Sequence, residues 1–136
     1  MGNRTLATEW LTIAWHDLRS AQILYEAGHY TDSIGCDLQQ ALEKMLKSLI
    51  AYENRRIPRS HDLIECYAEI QEKLPMTEEE LDFLTRASTY LQRDRYPNPN
   101  YSLPPRTEIE KILHFSQGLF EKILKELEID QDSLNA

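Results

Sequence analysis

Two stretches of the chain, residues 37–44 and 93–97, carry side chains that could recognise a phosphate. In Arg93-Asp94-Arg95-Tyr96-Pro97 a helical pattern is cut off by proline, and Tyr101 follows a few residues on. A guanidinium offers a planar fork of donors that matches phosphate oxygens, and a neighbouring ring can stack a base. Cations at a helix end also offset its dipole, which alone would account for Arg93 and Arg95. In Asp37-Leu38-Gln39-Gln40-Ala41-Leu42-Glu43-Lys44, the residues Asp37, Gln40 and Lys44 are three and four apart. They line one flank of a buried stripe, and Gln39 and Glu43 line the opposite flank. The plain reading is a solvated flank with i,i+4 pairs; the functional one is a set of polar handles facing a cleft or a second subunit. His61, between Ser60 and Asp62 at a helix start, is either a surface residue or an imidazole oriented by a carboxylate for ligand contact. His16, His29 and His114 have no partners at ligand spacing and read as surface or packing residues.

Other chemistries are excluded by pattern. There is no glycine-rich phosphate loop, no HExxH, no GxSxG and no pair of ExxH motifs. Cys36 and Cys66 lack the spacing of a metal site. No metal and no cofactor are therefore expected, and the two thiols read as reduced. A net charge of -8 argues against sequence-blind nucleic-acid binding, leaving room only for a local basic site.

These side chains must be positioned by helices. The first helical pattern covers residues 5–27, with Ala7, Leu11, Ala14, Leu18, Ala21 and Tyr25 in one stripe ended by Gly28. The second covers residues 30–54, with Ile34, Leu38, Ala41, Leu42, Met45 and Leu49 inward, before the basic loop Asn54-Arg55-Arg56-Ile57-Pro58. Ser60 should cap a third helix carrying Leu63, Tyr67, Ile70 and Leu74, which Pro75 stops. Thr77 and Glu80 have capping-box spacing for a fourth, carrying Leu81, Leu84, Ser88 and Leu91 and fraying before Pro97. Thr107 and Glu110 suggest a second capping box for a fifth, with Ile109, Ile112, Ser116, Leu119, Ile123 and Leu127 inward. No strand pattern competes. The expectation is an all-α, antiparallel up-and-down bundle of four to five helices. It forms one domain over residues 5–128, with residues 129–136 as a frayed tail. The longest apolar run, Leu49-Ile50-Ala51-Tyr52, is too short to span a bilayer, and no leader opens the chain, so a cytoplasmic protein is expected. Trp10, Trp15, Leu46 and Ile50 on helix flanks suggest more apolar surface than one bundle hides, hence a homodimer.

The ordered set of motifs resembles the HEPN family of small helical domains. It runs from Trp10 to Leu24 with Asp17-Leu18 and Ala21, then Gly28-His29-Tyr30, then Gln39-Gln40-Ala41-Leu42-Glu43-Lys44. It continues with His61-Asp62-Leu63 and ends on Arg95-Tyr96-Pro97. The resemblance implies a homodimeric bundle of four or five helices. In RNA-cleaving relatives an Arg is followed four to six residues later by His, which assists proton transfer while Arg stabilises phosphate charge. Those positions after Arg95 hold Pro99, Asn100 and Tyr101, and after Arg93 they hold Pro97, Asn98 and Pro99. None is histidine. The match is closer to the Arg-Tyr-Pro subset, often paired with a minimal nucleotidyltransferase in a toxin–antitoxin-like system. What this implies is binding of a nucleotide, an RNA or such a partner through Arg93, Arg95, Tyr96 and Tyr101, with Gln40, Lys44 and His61 nearby. The alternatives are an RNase using Arg95 with a non-standard base, His61 being the best candidate, and a structural helical adaptor.

Overall fold

A computed structural model of the chain describes residues 3–90 and 103–134. Leu91, Arg93, Arg95, Tyr96 and Tyr101 lie outside the described residues. The described chain is all-helical: α1 (Arg4–Glu26), α2 (Thr31–Tyr52), α3 (Leu63–Ala68), α4 (Glu78–Ala87) and α5 (Arg106–Leu127), with a 3-10 turn at Gln131–Leu134.

The stripe on α1 is alanine-rich, and Ala7, Leu11, Ala14, Leu18 and Ala21 are all buried. Small side chains there let α1 lie close along α2. The turn between them is set by Gly28 at φ +71. Its N–H donates to Tyr25 O and that of His29 to Leu24 O, the paired bonds of a Schellman cap. At the far end Asn3 N donates to Tyr52 O at 2.7 Å, so the two helices run antiparallel. Helix α2 is the centre of the molecule, and none of its residues from Thr31 to Tyr52 is exposed.

Helix α5 lies antiparallel to α1, fastened by an arginine at each end. Arg106 reaches the carbonyls of Tyr25 and His29, while Arg4 reaches those of Leu127 and Glu128. Glu128 ends α5 at φ 54, so Arg4 supplies donors to carbonyls the helix leaves open. Helix α4 is antiparallel to α5, with Arg86 bonded to Glu108 and Phe83 packed on Phe115 at 5.4 Å.

Several expectations need correction. Helix α3 is capped by Asp62, whose carboxylate accepts from Ile64 N, and not by Ser60. The Ser60 hydroxyl instead accepts from Asp62 N and donates to Glu65. That helix is also shorter than its apolar pattern; Ile70 and Leu74 are buried from the turns beyond it. The Thr77–Glu80 capping box forms in both directions. The Thr107–Glu110 box does not cap α5, which begins at Arg106 after Pro105, its register set by the Arg106 anchor. Helix α4 stops at Ala87, earlier than Pro97 would require. Leu81 is only half-buried, and Ala87 and Tyr90 take up the inner face. Residues 129–134 pack back, with Ile129 and Leu134 buried. Leu46 and Ile50, expected to need a second subunit, are wholly buried within the single chain. Trp15 stacks on Phe120 at 5.5 Å, and Trp10 is half-buried beside Lys47.

Candidate functional site

The polar residues of α2 at positions 36, 40, 43, 44 and 47 share one side of the helix, bordered by α1 and by the loop that enters α3. On the α1 border Lys44 Nζ pairs with Asp17 Oδ2 at 2.6 Å, both about one-fifth exposed. Gln40 Nε2 lies 3.5 Å from Cys36 Sγ. On the loop border, Glu43 Oε1 lies 2.9 Å from His61 Nδ1 and Glu43 Oε2 lies 2.9 Å from Lys47 Nζ. Lys47 also sits over the Trp10 ring, 5.8 Å from its centroid, and so bridges the two borders. Gln40, Lys44 and His61 are thus brought onto one polar strip, but each already has a partner in the fold.

The Glu43–Lys47 pair is deep: the side chains are 9% and 6% exposed. Charges so buried must pair, since an isolated one would cost several kcal/mol. The His61 ring lies outside that shield, 67% exposed. With Nδ1 held by the carboxylate, Nε2 is left without a partner among the described residues and is open to solvent. A buried carboxylate that fixes an exposed imidazole is the arrangement used to orient an acid–base histidine.

Gln39, buried on the same border, locks three elements together. Its Nε2 donates to His61 O at 3.3 Å and to Ser88 O at 3.1 Å. The Ser88 hydroxyl accepts from Leu63 N at 3.0 Å and donates to Asp62 Oδ1 at 3.3 Å. Ser88 therefore holds the start of α3 against the end of α4, and α4 ends where that carbonyl and hydroxyl are claimed. Cys66 lies beneath the same loop, its thiol 3.7 Å from Ser60 O. Burial pushes this thiol up to about 11, with Lys47 opposing the shift.

Beyond Ser88, the Tyr90 ring rests on the backbone of α2. A Cβ placed on Gly35 would stand 2.9 Å from both Cγ and Cδ2 of that ring. The Tyr90 hydroxyl donates to Glu108, which also pairs with Arg86 at 2.8 Å. Hydrogen bonds to Asp82 and then Glu108 raise the Arg86 guanidinium above its ordinary value. Tyr90 is thus fixed against Gly35, and Pro104 is buried just ahead of the Arg106 anchor on the α1–α2 turn; residues 91–102 lie outside the described residues. Among the described residues no group of three or more His, Cys, Asp or Glu could hold a metal ion. No described helix is long and apolar enough to cross a membrane.

Sequence reasoning placed Glu43 on a flank but gave Lys47 no role. The signal was the i,i+4 pair itself, with Lys47 inside Met45-Leu46-Lys47-Ser48-Leu49-Ile50, where a charge has no solvated face to occupy.

The family model described as the HEPN domain matches residues 7–127. Among solved structures, the chain is similar to the crystal structure of TT1696 from Thermus thermophilus. The two share 26% identity and a TM-score of 0.74, over 88% of this chain and 97% of that one. Among curated proteins none gives a significant match.

Proposed function

Because the chain belongs to the HEPN domain family, matched over residues 7–127, we propose that it is a cytoplasmic, homodimeric binding domain. Through Arg93, Arg95, Tyr96 and Tyr101 it takes up a nucleotide, an RNA or a minimal nucleotidyltransferase partner, in the manner of a toxin–antitoxin-like pair. The observation that carries this reading is the anchoring of described residues on either side of 91–102: Tyr90 sits against Gly35 of α2, the helix that also carries Gln40 and Lys44, and Arg106 is tied to the α1–α2 turn. Lys44 is already neutralised by Asp17, which leaves Arg93 and Arg95 as the principal phosphate ligands. Leu6, Ile13 and Ile23, exposed on α1, favour a covered face and hence a second copy.

The test is calorimetric titration of a nucleoside triphosphate into the protein at low and high salt. Binding that weakens as salt rises and is lost in Arg95→Ala supports the reading, since phosphate contacts are screened. Binding indifferent to Arg95→Ala refutes it.

A second reading, metal-independent RNA cleavage, is favoured by the Glu43–His61 contact, which supplies an oriented imidazole in place of the histidine missing after Arg95. RNA cleavage abolished by His61→Ala in the presence of a chelator would establish it.

A further inference from the structure

The loop that leaves α2 runs in irregular backbone from Arg55 to Asp62, held by its main chain, by Ile57 and by the side chains of Arg55, His61 and Asp62. Asn54 N donates to Ala51 O and Arg55 N to Ile50 O, closing the end of α2. Ile57 packs on the core, and Gln39 holds the far end through His61 O. None of this needs the side chains of Arg56 and Arg59. Arg55 is engaged by Glu53 and Glu69. Arg56 and Arg59 are exposed, and no carboxylate among the described residues pairs with either. Together with Ile57, Pro58 and Glu69 the three arginines line a surface cleft of about 450 Å³. With Arg55 paired, Arg56 and Arg59 concentrate positive charge here on a chain whose net charge is -8.

We propose that this loop, residues 55–61, is a docking track for the phosphodiester backbone of a single-stranded nucleic acid, resting on the binding reading above. Arg56 and Arg59 are three residues apart, at most about 10 Å in an extended chain. Arginines so spaced can reach neighbouring phosphates of one strand. Each guanidinium can grip a phosphate bidentately. Because the backbone is held at both ends, little ordering is needed on binding. The exposed His61 continues the run toward the polar strip of α2. A linear ligand of regularly spaced charges fits this layout better than an acidic protein surface. Such a partner would need an apolar anchor at the centre of its contact, and Ile57 and Pro58 are half-buried.

The track is tested by fluorescence anisotropy with an end-labelled single-stranded oligonucleotide, beside a labelled mononucleotide. In the Arg56→Ala/Arg59→Ala double variant, oligonucleotide affinity should fall roughly five- to tenfold at low salt. The slope of log affinity against log salt should shrink by about 1.4, two contacts at about 0.7 each. Mononucleotide binding should not change. Unchanged oligonucleotide affinity and slope would overturn the track, as would a wild-type protein that binds no oligonucleotide. Equal competition by a polyglutamate of matched charge would replace it with an acidic protein partner. Oligonucleotide binding that needs Arg56 and Arg59 but not Arg95 would keep the track and refute the Arg95 site.

Discussion

The Glu43 carboxylate holds the His61 imidazole, Oε1 to Nδ1 at 2.9 Å, while its second oxygen holds Lys47 Nζ at the same distance. One buried group thus does two jobs: it neutralises a lysine that the core has surrounded, and it aims a ring at solvent.

Removing it should expose the first job. Glu43→Ala leaves Lys47, 6% exposed, as an unpaired charge and should cost about 3–5 kcal/mol in urea unfolding. Glu43→Leu combined with Lys47→Met should recover most of that, because both charges go together. A Glu43→Ala loss below about 1 kcal/mol would mean that water reaches Lys47 and that the pair behaves as a surface one.

Two glycines should respond in opposite directions. Gly35→Ala drives a methyl into the Tyr90 ring, which is 1% exposed and cannot swing away, so a loss of about 1–3 kcal/mol is expected. Gly118 lies on the exposed side of α5 with nothing within 4 Å of an added Cβ, so Gly118→Ala should stabilise by about 0.5–1 kcal/mol. Equal effects at both positions would contradict the packing of Tyr90 against α2.

Burial of Cys66 gives stability a pH dependence. Its thiol is raised from 9.0 to about 11 in the folded chain, so folding favours the neutral form. That contribution is complete below pH 9 and is lost as pH rises toward 11. It amounts to no more than about 2–3 kcal/mol, at about 1.4 kcal/mol per pH unit. Measured by denaturant midpoints, wild type should lose more stability than Cys66→Ala between pH 8.5 and pH 11. Parallel pH profiles would show that the thiol ionises freely in the fold.

The core was legible because its periods are clean. Every inward residue expected on α1 up to Ala21, on α2 and on α5 is buried, since each stripe recurs at helical spacing. Helix ends were less legible, because they are decided by distant partners. Ser88 stops α4 through bonds to Gln39 and Leu63, which are 49 and 25 residues away, and no local propensity encodes that. The buried Glu43–Lys47 pair was hidden for a related reason. Glutamate and lysine four apart read as a surface pair until the packing of Trp10 and of the His61 loop is known. His61 itself was visible as a candidate, whereas the carboxylate that orients it was seen only as part of a flank.

The account turns on whether Arg95 binds phosphate-bearing ligands without cutting them. The most direct measurement incubates end-labelled single-stranded RNA with the protein and a chelator, reading anisotropy first and then a denaturing gel of the same samples. Wild type should bind and leave the RNA intact, Arg95→Ala should bind weakly, and Asn100→His, which restores the Arg-to-His spacing, is the variant in which cleavage should emerge. Efficient chelator-resistant cleavage by the unmodified protein, unaffected by Arg95→Ala, would contradict the account.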